Sequence, residues 1–378
     1  MPGLIRNRQQ LPRIRTMRVA VLGAGSIAYG NAALLSSLGH EPVLWSPSGK
    51  SGQSIAKGEA LTATGSLAGS FKVAMAASAA EAVTGAGAVL FALPANGHRK
   101  AMDAAAADLV SGQVVIISSH TSFSGLYIAR QIAERGLDVP VAVWGTTVTA
   151  GRRTGDASVN VSTIRSKVDI ATIPVSASER GMKICKELFG DRFVQRDDAL
   201  AISLSNLNPQ NHLGIALCNF TRMEHGETWG QNENNTDSVG RLLEALDAER
   251  LAIAEAAGYK VRTIREHYNL SFHVEPAPVG EMARQLAARG NGGNGPSSID
   301  TRYVLEDAPF GLHPTVLLGK MAGRPATLHQ AGVDIFSALY ARDFAAENDL
   351  LAEIGLETMS LSELKSLVRD GWVAKRAA

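Results

Sequence analysis

Apolar and polar positions follow two different rhythms along this chain. In its first half the apolar residues form short unbroken runs: RVAVL (18–22), EPVLWS (41–46), GAVLFALP (87–94), GQVVIISSH (112–120) and VPVAVWGTT (139–147). Runs of Val, Ile and Ala without polar alternation predict parallel strands buried on both faces. VNVSTIRSKVDIATIP (159–174) predicts a hairpin pair that closes the sheet. From about residue 200 the strand-like runs stop. SVGRLLEALDAERLAIAEAA (238–257) spaces Val239, Leu242, Leu243, Leu246, Ile253, Ala254 and Ala257 along one face. That predicts a long amphipathic helix capped by Asp237 or Ser238 and stopped by Gly258. Further helices are expected around 278–289, 313–322, 328–346 and 360–369, with a flexible loop at 290–300.

The run at 18–22 is followed by GAGSIA, a helical stretch to Gly39 and then the strand at 41–46. Strand, glycine turn, helix and strand within about thirty residues is the context a dinucleotide-binding fingerprint demands. Gly23 permits the tight turn and Gly25 lets the backbone approach a pyrophosphate. Ser26 and Ile27 open the helix, whose free N–H groups face the phosphates, and Ala28 takes the third, close-packed position. The expected fold is therefore α/β: a Rossmann-type dinucleotide-binding domain (17–199) followed by an all-α substrate or catalytic domain (200–378). Residues 1–16 would be a flexible extension.

The end of the second strand reads Trp45-Ser46-Pro47-Ser48-Gly49-Lys50. An NAD site usually carries an acidic residue there for the ribose hydroxyls. Here Ser46, Ser48 and Lys50 offer hydroxyls and a cation instead, which favours NADPH over NADH. Pro94, Asn96, Ser119 and His120 fall at the ends of later strands, where ligands of such sheets collect. His120 either touches a ligand there or packs.

Net charge is +1, from 37 basic and 36 acidic residues. No field of one sign attracts a polyanion, so nucleic acid is not an expected partner. No apolar run reaches membrane-spanning length. Residues 1–16 carry four arginines but no apolar core, so they do not read as a secretory signal. The two cysteines, Cys185 and Cys218, are expected to be buried thiols, which fits a reducing, cytoplasmic setting.

Two clusters carry candidate chemistry. In NLNPQNHLG (206–214), Asn208 suits a helix cap and Pro209 the first helical position, so His212 falls in the first turn. A helix N-terminus disfavours the imidazolium, whereas a carboxylate partner would favour it and hold one tautomer. Taken alone, His212 either packs or moves a proton. In DTRYVLEDAPFGLHP (300–314), Arg302 offers a fork for a carboxylate, and Glu306 and Asp307, being adjacent, point in different directions. A solvated salt bridge at a helix end is the other reading of this cluster.

NLNPQNH, NFTRMEHG (219–226), the helix at 238–258 and TRYVLEDAPFGLHPTVLLGKMAGRPAT (301–327) together resemble the octopine/nopaline (opine) dehydrogenase family. The resemblance runs from Met17 onward and is strongest over 206–340. It implies reversible, nicotinamide-dependent reductive condensation of an amino acid with a 2-oxo acid in an interdomain cleft. It places the family's catalytic histidine on His212 in NPxxH and its aspartate on Asp307 in EDxPxGL. Arg302 of the RY pair falls on the substrate-carboxylate arginine, with Asn208 and Tyr303 as further substrate-binding candidates. No metal is implied, and a homodimer through the helical half is the expected assembly. Phe310, His313, SSHTSFSG (118–125) and WSPSGK depart from the pattern and bear on substrate and cofactor choice. Two rivals share the architecture. One is a hydroxyacid or ketopantoate-type reductase that needs no amine and uses a lysine where NPQNH stands. The other is a non-catalytic NAD(P)-binding protein.

Overall fold

The computed structural model describes residues 15–290 and 293–373. The extension expected at 1–16 therefore lies almost wholly outside the described residues, as do positions 291–292 of the expected loop. In chain order the strands are β1 (Arg18–Leu22), β2 (Glu41–Trp45), β3 (Leu61–Gly65), β4 (Gly69–Phe71), β5 (Ala74–Met75), β6 (Ala88–Phe91), β7 (Val114–Ile117), β8 (Val141–Trp144), β9 (Thr149–Gly155), β10 (Ser158–Ile164), β11 (Val168–Ile173) and β12 (Phe193–Gln195). The main sheet has the order β12-β11-β8-β7-β6-β1-β2-β5. Its pairs are parallel except β11 against β8. β6, β7 and β8 are buried along their whole length, as expected of strands with helices on both faces. The strand order reverses between β1 and β6, and the crevice at their carboxyl ends is where such a sheet binds its ligand.

A second sheet, β4-β3-β10-β9, was not foreseen. The expected hairpin of 159–174 is corrected here. β10 pairs antiparallel with β9 and parallel with β3, while β11 leaves for the main sheet. Apolar alternation identified both strands but carries no information about partners, and the short turn Arg165–Lys167 invited the wrong pairing.

The rest of the described chain is helical, with segments Asn208–Cys218, Asp237–Ala256, Ile264–Phe272, Val279–Ala288, His313–Met321 and Thr327–Tyr340. The long helix is capped by Thr236, whose side chain accepts from Val239 N–H, rather than by Asp237 or Ser238. Gly258 follows its end with φ +82°, the left-handed stop that was expected. The helix expected over 328–346 stops at Tyr340, where Ala341 turns left-handed at φ +50°. Leu213, Leu246, Val304, Leu312 and Phe336 share one core of this half. The last helix, Leu361–Asp370, returns to the main sheet, where Leu364 and Val368 share a core with Ile117 and Val143. Trp372 follows it and donates from Nε1 to the Leu126 carbonyl at 2.9 Å. Cys185 is buried, but Cys218 at the end of its helix is exposed, which corrects the expectation for that thiol. No helix among the described residues is long and apolar enough to cross a membrane.

Candidate active site

The glycine turn follows β1. Gly23 takes φ +134°, and a Cβ there would sit 2.4 Å from the Ala92 carbonyl oxygen at the end of β6. Only glycine allows that approach. A Cβ on Gly25 would meet nothing within 4 Å, so the turn is open on the side where a pyrophosphate would lie. The helix Ser26–Ser37 begins here with no side-chain cap and no acid in its first turn. Its first N–H groups are thus free for an anion. Ile27 lies at this open end, while Ala28 is fully buried against the strand. Ser26 faces the second sheet instead, its Oγ accepting from Arg153 N–H at 2.9 Å. These features fit a dinucleotide.

At the end of β2, Ser46 is buried with its Oγ 3.2 Å from that of Ser48, and Ser48 Oγ accepts from Lys50 N–H. Lys50 is exposed. One carboxylate nearby escaped sequence reading. Asp156, at the β9–β10 turn, accepts from Gly52 N–H at 3.0 Å and Ser54 N–H at 2.7 Å, and so closes this loop. Those N–H groups, Ser54's first, hold its carboxyl below the ordinary range. Arg153 was also missed. It donates to the Ala24 carbonyl at 3.0 Å and lies over the Tyr29 ring, bracing the glycine turn from β9. No local pattern links residues 150–156 to a turn at 23–25.

Pro94 is exposed at the end of β6 and opens a short turn, Ala95–Gly97. Ser119 is half-buried. His120 does not face this crevice. It is 1% exposed, and burial pushes its imidazole down to about 3. Its Nδ1 lies 3.4 Å from Ser203 Oγ. Packing is therefore the reading that holds for His120.

Across the crevice, the helix Asn208–Cys218 starts one residue earlier than expected. Leu207 is the cap position, and Asn206 Oδ1 accepts from Asn208 N–H at 3.1 Å. Asn208 is the first helical residue rather than the cap, and it is exposed. Below it, Gln210 Nε2 donates to Asp247, whose partner Arg250 is equally buried. This satisfied buried pair fixes the helix from underneath.

His212 Nδ1 lies 2.6 Å from Asp307 Oδ2, with both side chains largely buried. A carboxylate only accepts, so Nδ1 carries the proton of this contact, and in the neutral imidazole Nε2 is the acceptor. Asp307 reaches this position because a π-helical turn, Ala308–Leu312, begins directly after it. A Cβ on Gly311 of that turn would sit 2.3 Å from Pro209 Cγ. The turn and the histidine helix therefore touch backbone against ring. From the far side, Thr121 Oγ1 and Ser122 Oγ both donate to the Phe310 carbonyl, at 2.7 and 2.6 Å. Asn348 donates to Pro309 O. The SSHTSFSG segment, with Ser119, Ser122 and Phe123 at φ of +48° to +67°, is thus the clamp on this turn.

Glu306 points the other way, as adjacency predicts. Its Oε1 accepts from Ala95 N–H at 3.0 Å, and Oε2 lies 3.2 Å from Arg302 Nε. That N–H is not aimed at Oε2, so the contact is a charge pair rather than a hydrogen bond. Burial raises the Glu306 carboxyl, and Arg302 opposes the rise. Arg302 itself is 59% exposed. Tyr303 stacks on His212 and donates to Gln231 Oε1 at 2.8 Å. Burial raises its hydroxyl.

Comparisons with known proteins bear on the family and the fold. Residues 195–340 match the family model described as NAD/NADP octopine/nopaline dehydrogenase, alpha-helical domain. An opine dehydrogenase of Arthrobacter sp. (strain 1C) is 29% identical over 359 residues, 94% of this chain and 99% of that protein. Octopine dehydrogenase solved with NADH and L-arginine superposes with a TM-score of 0.77 at 16% identity, covering 96% of this chain and 100% of that one. Yersinopine dehydrogenase with NADP+ bound gives 0.70 at 14% identity, over 92% and 99%. With the parallel sheet and its glycine turn in front of that matched helical domain, the chain is similar along its length to opine dehydrogenases and carries their alpha-helical domain at 195–340.

Proposed function

We propose that this protein condenses an amino acid with a 2-oxo acid and reduces the resulting imine to a secondary amine, reversibly, with His212 as general acid and base. The observation that carries the reading is the His212–Asp307 contact of 2.6 Å, which leaves Nε2 free. The turn at Gly23 and Gly25 and the start of the Ser26–Ser37 helix would hold a nicotinamide dinucleotide, which would supply the hydride when bound.

Condensation needs a proton moved twice. The incoming ammonium must lose one before its nitrogen attacks the oxo carbon. The carbinolamine hydroxyl must gain one to leave as water. Nε2 of His212 accepts the first proton and returns it to the hydroxyl, and the imine is left for reduction. Asp307 keeps the tautomer that makes Nε2 the acceptor, and it stabilises the imidazolium while that exists. Arg302, exposed beside this pair, anchors the oxo acid's carboxylate. Asn208, exposed at the start of the histidine helix, is a further substrate-binding residue in this reading.

The cofactor assignment is NADPH over NADH. It rests on Ser46, Ser48 and exposed Lys50 at the end of β2, with Asp156 occupied by backbone N–H groups. A homodimer in the cytoplasm remains part of this reading. An amine-independent oxo-acid reductase is the rival within the architecture, and the family match at 195–340 weighs against it. The test is NAD(P)H oxidation with a 2-oxo acid in the presence and absence of each amino acid. Oxidation that needs both substrates supports condensation, and full rates without an amine support the rival.

A further inference from the structure

His212 is held on an edge and on a face. The edge contact is the Asp307 hydrogen bond. The face contact is Tyr303, whose ring lies 3.6 Å from the imidazole, centroid to centroid, at an interplanar angle of 12°. That is a stacked pair tighter than the usual 4.5–7 Å spacing of aromatic rings. Tyr303 is itself fixed. It is the second residue of the helix Arg302–Leu305, which Thr301 caps. Its hydroxyl is tied to Gln231, and Gln231 N–H donates to the Gly293 carbonyl at 3.0 Å. Trp229, two residues earlier, donates from Nε1 to the Pro296 carbonyl. The platform under the ring is therefore a pinned loop rather than a free side chain.

A single hydrogen bond at Nδ1 leaves the imidazole free to tilt about that bond, and any tilt swings Nε2. A ring stacked on the face removes this freedom. We infer that Tyr303 is a positioning residue for His212: its stacked ring fixes the direction of Nε2, and its electron-rich face stabilises the protonated imidazole. The assignment rests on the acid–base role proposed above. It differs from a substrate-binding role for Tyr303, because the hydroxyl is spent on Gln231 and the ring on His212. The charged groups around the pair are Asp307 at the ring edge, Glu306 and Arg302 on the same segment, and Arg152 from β9 facing Tyr303. Asp247 and Arg250 beneath the helix neutralise one another.

The experiment compares Tyr303→Phe with Tyr303→Leu, and adds Tyr303→Met should the leucine variant fail to fold. The His212 ring titration is followed by NMR in the substrate-free protein, and kinetics are measured beside it. A face-on aromatic favours a cation, so removing it should lower the midpoint by about 0.5–1 pH unit. Turnover should fall about 10–100-fold, with Michaelis constants for both substrates held within about twofold. Tyr303→Phe keeps the stack and should stay within about threefold of the parent. An unchanged midpoint in the aliphatic variant overturns the inference. So does a phenylalanine variant as poor as leucine with a raised Michaelis constant, which would make the hydroxyl a substrate contact. The titration needs no substrate, so it decides this point even if condensation activity is not found.

Discussion

Glu306 Oε1 accepts a hydrogen bond from the Ala95 N–H at 3.0 Å, across 211 positions of the chain. The residue beside the candidate catalytic aspartate thus holds the loop after β6, where the crevice opens. Glu306→Ala deletes this tie and is expected to cost about 1–3 kcal/mol, the range for stranding a buried partner. Glu306→Gln keeps an acceptor but no charge. Because burial raises this carboxyl, the folded state holds its proton above the pH where the unfolded chain releases it. Stability from this group is complete at low pH and is lost as pH rises from about 4.5, the unfolded value, through the higher folded one. The stability of Glu306→Gln relative to the parent should therefore increase between pH 4.5 and pH 8. Parallel urea midpoints across that range would refute it.

The His212–Asp307 pair predicts a matched loss. His212→Ala should lower turnover by about 100-fold or more, as removal of a general acid–base does. Asp307→Asn should lower it to a similar degree by presenting the wrong tautomer. Dissociation constants for the cofactor should stay as in the parent. They are read by nucleotide fluorescence titration, and parental turnover in either variant contradicts the assignment.

Arg302→Ala should act on the oxo acid alone. Loss of a charge-assisted fork to a carboxylate is worth about 1.5–3 kcal/mol, or roughly 10–100-fold in its Michaelis constant. The constant for the amino acid should hold within about twofold. Steady-state kinetics with each substrate varied in turn decides this.

Ser46→Asp places a carboxylate at the end of β2 and should shift preference toward NADH by about tenfold or more through repulsion of a 2′-phosphate. Lys50→Ala should weaken NADPH and leave NADH unchanged. Equal responses of the two cofactors in both variants would remove the NADPH assignment.

Much of this was legible in the sequence because the signals were local. The glycine turn sits between two apolar runs, and the helix around Leu242 and Leu246 shows its period over twenty residues. His212, Asp307 and Arg302 were found through combined motifs, and the structure brings His212 and Asp307 into contact. What was not legible depends on partners far away in the chain. β10 resembles half of a hairpin with β11, yet its neighbours are β9 and β3. Asn206 rather than Asn208 serves the start of the histidine helix, a difference set by one turn's geometry. Arg153, Asp156 and the Glu306–Ala95 tie lie more than a hundred positions from what they brace, so no window of sequence displays them.

The most direct test of condensation at His212 is the mass of the product. NADPH, a 2-oxo acid and each amino acid in turn would be incubated with the parent protein and with His212→Ala. The account predicts, for at least one pair, a product equal to both substrates minus water plus two hydrogens, at least 100-fold depleted in the variant. A product equal to the oxo acid plus two hydrogens, formed at the same rate without any amine, would contradict it.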